Sequence, residues 1–193
     1  MLEQAAAALR GGGLLIYPTE TLYALGGLAL DAAAARRVRQ AKGRADDKAL
    51  PLIAADPRQA RGLFEEWPEA AERLAARFWP GPLMLVLPAS AAVPREVLAG
   101  GNSVGVRVPG RELPRRLCQA AGPLVATSAN RSGEPPATSC VDALAAVGAW
   151  VAAALDGGTC DGAPSTVVDL CARAPRVLRE GAIARAVVLA ALG

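Results

Sequence analysis

Residues 103–127 read SVGVRVPGRELPRRLCQAAGPLVAT, and this stretch decides the fold class. Ser103, Gly105 and Arg107 alternate with Val104, Val106 and Val108, so a strand here carries the polar set on one face and the valines on the other. Arg111–Ala121 then reads as a helix, and Leu124–Thr127 as a second apolar strand. Strand, helix and strand in so short a span mark an α/β chain.

The same alternation extends in both directions. Toward the N-terminus, Leu83–Leu87 and Leu50–Ala54 read as strands, Trp67–Phe78 as a helix, and Asp56 with Pro57 as the opening of a short helix. Asp31 caps a helix through Ala41 that Gly43 ends, and Leu14–Tyr17 is a buried strand preceded by a helix over Leu2–Arg10, stopped by Gly11-Gly12-Gly13. Toward the C-terminus, Cys140–Val147 is helical, Val151–Asp156 extended, and Ser165–Leu170 with Arg176–Arg179 form a closing pair of strands before Gly181 leads into a terminal helix. The count is about seven strands and six helices, without an internal repeat. Because the order is not βαβ throughout, we expect one domain over 1–193 with a twisted mixed sheet and flanking helices.

Composition narrows the function. With 52% apolar residues the chain is not disordered, and 193 residues bury a core without staples. The absence of histidine removes Ser-His-Asp and Cys-His nucleophile systems and the commonest zinc ligand, and no metal site is expected. Cys118, Cys140, Cys160 and Cys171 form no C-x-x-C pair and read as buried free thiols. Apolar runs such as Ala149–Leu155 are too short to span a bilayer, and Met1–Arg10 does not read as a signal segment, so a cytoplasmic protein without membrane contact is expected. A net charge of +3 is too small to mark a nucleic-acid binder by itself, and few aromatic residues argue against a single-strand binder built on stacked rings. Neither the phosphate-binding G-x-x-x-x-G-K-[ST] loop nor a G-x-G-x-x-G turn occurs.

Four polar clusters interrupt the apolar pattern at predicted strand or helix ends, where α/β proteins place their sites. Tyr17-Pro-Thr-Glu-Thr-Leu-Tyr23 follows the first strand; taken alone, it reads first as a helix cap in which Thr19 or Thr21 holds orphan N–H groups. Lys42-Gly-Arg-Ala-Asp-Asp-Lys48 holds both lysines of an otherwise arginine-based chain. With Arg36, Arg37 and Arg39 it suits a polyphosphate, or is a solvated charge run after a helix C-terminus. In Ser103–Pro109, an Arg beside a Gly on one strand face leaves room for a carboxylate ligand, or is an edge Arg reaching solvent. Thr127-Ser-Ala-Asn-Arg-Ser-Gly133 offers hydroxyl and amide groups to phosphate or ribose, or is a plain turn.

In order along the chain, these clusters with Trp79-Pro-Gly-Pro82, Ser165-Thr-Val-Val168 and Arg179-x-Gly181 resemble the YrdC-domain family, the threonylcarbamoyl-adenylate synthases, in its single-domain bacterial form. The resemblance implies a sheet around a deep electropositive cavity. It also implies an enzyme, a nucleotidyltransferase, converting L-threonine, bicarbonate and ATP to threonylcarbamoyl-AMP and pyrophosphate for tRNA threonylcarbamoyladenosine modification. By position it assigns Thr21, Arg107, the backbone at Ala126 and Ser165 to threonine, and Arg44, Lys48, Ser103, Ser128, Asn130 and Arg179 to the nucleotide. Lys42 and Arg44 become the catalytic cations, Mg²⁺ arrives with ATP, and the partners are downstream tRNA-modifying proteins, with direct contact to tRNA or double-stranded RNA left open. Truncating Lys42 or Arg44 is then expected to stop turnover with little loss of stability, as for exposed loop charges.

Ala24, Ala45, Met84 and Pro136 depart from the family pattern. They keep two alternatives in play: a paralogue that binds RNA without chemistry, and one that handles another carbamoyl or acyl adenylate.

Overall fold

The computed structural model describes residues 1–43 and 48–193. Arg44, Ala45, Asp46 and Asp47 lie outside the described residues.

Local chemistry sets most element ends as read. Helix α1 (Leu2–Arg10) leads through the glycines into strand β1 (Leu15–Pro18), buried on both faces. In α2 (Ala32–Lys42) the Asp31 carboxylate accepts from Ala33 N at 2.8 Å, and Gly43 ends the helix at φ +58°, a left-handed conformation that favours glycine. Asp56 and Pro57 open α3 (Pro57–Arg61). Helix α4 (Glu69–Phe78) begins two residues later than read, because a proline disfavours helical geometry in the residue before it, here Trp67. Strand β2 (Tyr23–Gly26) and the short α5 (Arg95–Leu98) had no distinct sequence signal. The remaining elements are β3 (Leu52–Ile53), β4 (Leu83–Pro88), β5 (Ser103–Arg107), α6 (Glu112–Ala121), β6 (Leu124–Val125), β7 (Thr127–Ser128), α7 (Cys140–Val147), β8 (Ala153–Ala154), β9 (Thr166–Asp169), β10 (Arg176–Arg179) and α8 (Arg185–Ala190).

The mixed α/β class holds, with the strands divided between two mixed sheets. A four-stranded sheet runs β7-β2-β1-β8, with β1 antiparallel to β2 and parallel to β8. A six-stranded sheet runs β10-β9-β4-β5-β3-β6, alternating antiparallel and parallel neighbours. The run read as one strand, Leu124–Thr127, serves both sheets: β6 pairs with β3, then β7 crosses to β2. Between them Ala126 N donates to Pro51 O at 2.9 Å, continuing the pairing toward β3, while Val125 N donates to Gly27 O at 2.9 Å on the other side.

The sheets meet at a close backbone approach. A Cβ on Gly26 would stand 2.0 Å from Val125 O, so only glycine fits, and Tyr17 Oη donates to that same carbonyl at 2.8 Å. One apolar cluster joins α1 and α6 to Leu15, Tyr17 and Leu124; the larger one packs the sheets against α2, α4 and α7 through residues such as Val38, Leu74 and Val106. Among the described residues no helix is long and apolar enough to cross a membrane.

Candidate active site

Where the sheets converge, a cavity of about 330 Å³ is walled by residues from widely separated segments. The β1–β2 turn contributes Thr19 and Thr21; β5 ends in it with Arg107; Ala126 and Ser128 come from the crossing between sheets; Ser165 precedes β9; and Arg179 ends β10. Six of the residues that the resemblance assigns to threonine or the nucleotide are therefore neighbours here, although they lie up to 158 positions apart.

The turn is self-supporting. Thr19 Oγ1 accepts from Thr21 N and Leu22 N, both at 3.2 Å, and donates to Leu22 O at 2.7 Å. No helix follows, so Thr19 closes a turn between two strands and not the helix cap considered for it, and this holds Thr21 at the cavity wall, where its hydroxyl lies 3.0 Å from Thr19 Oγ1. Arg179 anchors the opposite side by donating through Nε and Nη2 to Ser165 O at 3.1 and 2.9 Å. Arg107 is nearly buried, and its Nη1 donates to Glu20 Oε1 at 2.6 Å. Burial holds its guanidinium below the usual pKa; Glu20 opposes that shift and the like charge of Arg179 adds to it. Arg107 and Arg179 line the cavity, and no Asp or Glu does among the described residues.

Three of the marked residues stand apart from this wall, and a fourth position is filled. Lys42 is not an exposed loop charge. It is 4% exposed, and its Nζ donates to Ser128 O (2.7 Å), Asn130 O (2.8 Å) and Asn130 Oδ1 (2.9 Å), with Ser128 Oγ at 3.3 Å. The ammonium ties the end of α2 to the Ser128–Asn130 turn and stands behind the described wall instead of in it. Asn130 spends its amide there too: Oδ1 on Lys42 and Nδ2 on Glu134 O at 2.6 Å. Ser103 shares a strand face with Arg107 but sits at the other end of β5, outside the wall, since four residues of extended chain span about 13 Å. The space beside Gly105 is not left for a ligand, because Met84 fills it: a Cβ there would stand 2.8 Å from Met84 Sδ.

Lys48 is exposed and outside the described wall; its carbonyl accepts from Arg39 Nη2 at 3.0 Å. Arg44 lies outside the described residues. Three positions that depart from the family pattern, Ala24, Met84 and Pro136, face the cavity, as does Tyr23. Tyr23 and Glu20 belong to a cluster the sequence had marked, whereas Met84, just after Trp79-Pro-Gly-Pro82, was marked only as a departure from the family pattern. All four cysteines are free thiols, but Cys171 is exposed, correcting the reading of all four as buried. Among the described residues no group of three or more Cys, Asp or Glu is placed to hold a metal ion.

An α/β domain whose two mixed sheets close on a cavity holding two arginines and several hydroxyls is the class this geometry defines. The chain belongs to the Sua5_yciO_yrdC family, whose description is "Telomere recombination" and whose model matches residues 7–181. It is 44% identical over 93% of its length to a protein of Pyrococcus abyssi, and 37% identical over 100% of its length to one of Bacillus subtilis, both named threonylcarbamoyl-AMP synthase. It covers 53% and 56% of those proteins, so it spans about half their length. A solved structure of P. abyssi Sua5 complexed with L-threonine superposes with a TM-score of 0.95 at 41% identity, over 100% of this chain and 57% of that one.

Proposed function

We propose that this chain is an L-threonylcarbamoyladenylate synthase, a cytoplasmic nucleotidyltransferase that prepares threonylcarbamoyl-AMP for tRNA modification. The observation that carries the reading is the convergence of Arg107 and Arg179 with Thr21, Ser128 and Ser165 on one cavity with no described acidic side chain in its wall. Two cations in one hollow suit a ligand pair carrying a carboxylate and phosphates. Support comes from relatives of that name and from the threonine complex of a 41% identical protein.

The chemistry asks for positioning more than for a protein nucleophile, which suits a chain without histidine. The amine of L-threonine adds to the carbon of bicarbonate, a C–N bond forms and water leaves, giving the carbamate. A carbamate oxygen then attacks the α-phosphorus of ATP, supplied as its Mg²⁺ complex, and the bond to pyrophosphate breaks. Arg107 takes the amino-acid carboxylate, while Thr21 and Ser165 read its polar groups. Ser128 and Arg179 take the nucleotide, joined by Arg44 and Lys48. Lys42 and Asn130 hold the turn that presents Ser128. Downstream, a tRNA-modifying partner consumes the adenylate.

The test is pyrophosphate release by purified protein with ATP and Mg²⁺. Release that requires both L-threonine and bicarbonate supports the reading. Release with another amino acid in place of threonine redirects it to a different adenylate, and none under any of these conditions overturns it.

A further inference from the structure

Glu20 is the acidic member of the Tyr17–Tyr23 cluster, and the reaction above gives it no role. Its partner is Arg107, through a contact with side-chain exposures of 24% and 6%. The two meet at one point only. Glu20 Oε2 and Arg107 Nε are both buried without a hydrogen-bond partner, whereas a carboxylate and a guanidinium that settle on each other alone tend to pair bidentately. A Cβ on Gly110 would lie 3.8 Å from Glu20 Cδ, whereas one on Gly162 would lie 2.0 Å from the main-chain O of Glu20, so one segment packs beside the side chain and the other against the backbone that carries it. The backbone at Glu20 is therefore held closely, and the Arg107 side chain that its carboxylate meets is itself buried. Across the cavity Arg179 acts on Arg107 as a like charge, so a buried guanidinium without Glu20 has no described acidic neighbour to keep it in place.

We infer that Glu20 is a positioning residue that holds Arg107 by Nη1 and so sets the orientation in which the guanidinium meets the substrate carboxylate. The inference rests on the proposed threonine site and deepens it. Glu20 does not touch the ligand; it acts through Arg107.

The experiment compares wild type with Glu20→Gln, which keeps the shape and removes the charge. Binding is titrated with L-threonine and with L-threoninol, in which a hydroxymethyl group replaces the carboxylate. KM is measured for threonine and for ATP, and Arg107 side-chain nitrogens are followed by NMR. The expected result is a threonine affinity and KM worse by about tenfold or more, with threoninol binding and the ATP KM within about twofold. The Nη signals of Arg107, distinct in wild type, average together in the variant as the guanidinium turns freely. Unchanged threonine affinity overturns the inference, and so does an equal loss for threonine and threoninol, which would mean general loosening. If wild type binds no L-threonine yet the Arg107 signals still respond to the substitution, the proposed substrate fails while the positioning stands. Should Glu20→Gln not fold, Glu20→Asp keeps the charge, shortens the reach by one methylene, and is read the same way.

Discussion

Replacing Lys42 by methionine separates a phosphate-binding lysine from a structural one. The side chain keeps its length and apolar stem but loses the ammonium, leaving three acceptors at 2.7–2.9 Å and Ser128 Oγ at 3.3 Å without their donor. A hydrogen bond to a charged group contributes about 1.5–3 kcal/mol, but these share one ammonium and are not additive. Each buried acceptor left without its donor costs about 1–3 kcal/mol, and for a set that shared one ammonium we take about 3–5 kcal/mol in total. For a domain of this size each kcal/mol lowers Tm by about 2–4 °C, so a fall on the order of 10 °C is expected. Calorimetry gives Tm, and urea unfolding with an unchanged m-value confirms that the native state and not the unfolded ensemble has changed. Pyrophosphate release measured well below the new Tm should also fall, because Ser128 loses its anchor. A Tm within about 2 °C of wild type would refute the structural role and return Lys42 to the status of a solvated loop charge.

Three further outcomes follow from the same geometry. Gly26→Ala places a methyl group 2.0 Å from Val125 O and 2.7 Å from Tyr17 Oη, so the junction of the sheets must shift; a loss of about 1–3 kcal/mol or more is expected in urea unfolding. Native protein treated with a thiol reagent should modify Cys171 first, while Cys118, Cys140 and Cys160 wait for unfolding; Cys118 is the most protected, its thiol pushed far up by burial. Asp169 links stability to acid. Burial pushes its carboxyl up, but the Arg176 contact at 2.7 Å and the Cys171 N–H at 2.9 Å bring it below the usual range overall. A group lowered in the folded state stabilises above its unfolded pKa and loses that contribution as pH falls through its folded pKa. The stability gap between wild type and Asp169→Asn should therefore narrow as pH drops below about 4.

The α/β class and most helix limits were legible because they are decided within a few residues. Asp31 and Gly43 bracket α2, and Asp56 with Pro57 opens α3, through caps and backbone preferences that need no distant partner. The polar clusters were legible for a related reason: hydroxyls and charges that interrupt an apolar run stand out locally. Their common destination was less so. Motif order and family resemblance suggested a shared cavity, and the fold brought Thr21, Arg107, Ala126, Ser128, Ser165 and Arg179 to one wall.

Tertiary structure alone decided how each of those groups is used. Leu124–Thr127 reads as one apolar strand, and only the partners offered by β3 and β2 divide it between two sheets. Lys42 looks like any cation after a helix end until acceptors 86 and 88 residues away bury it. Ser103 and Arg107 share a strand face, yet strand length puts one at the cavity and the other beyond it. Glu20 becomes the keeper of Arg107 through a contact across 87 residues. Backbone preferences and caps act over one or two turns of chain, whereas burial and charge pairing depend on which segments the fold makes neighbours, so the residue types were written in the sequence and their partners were settled in space.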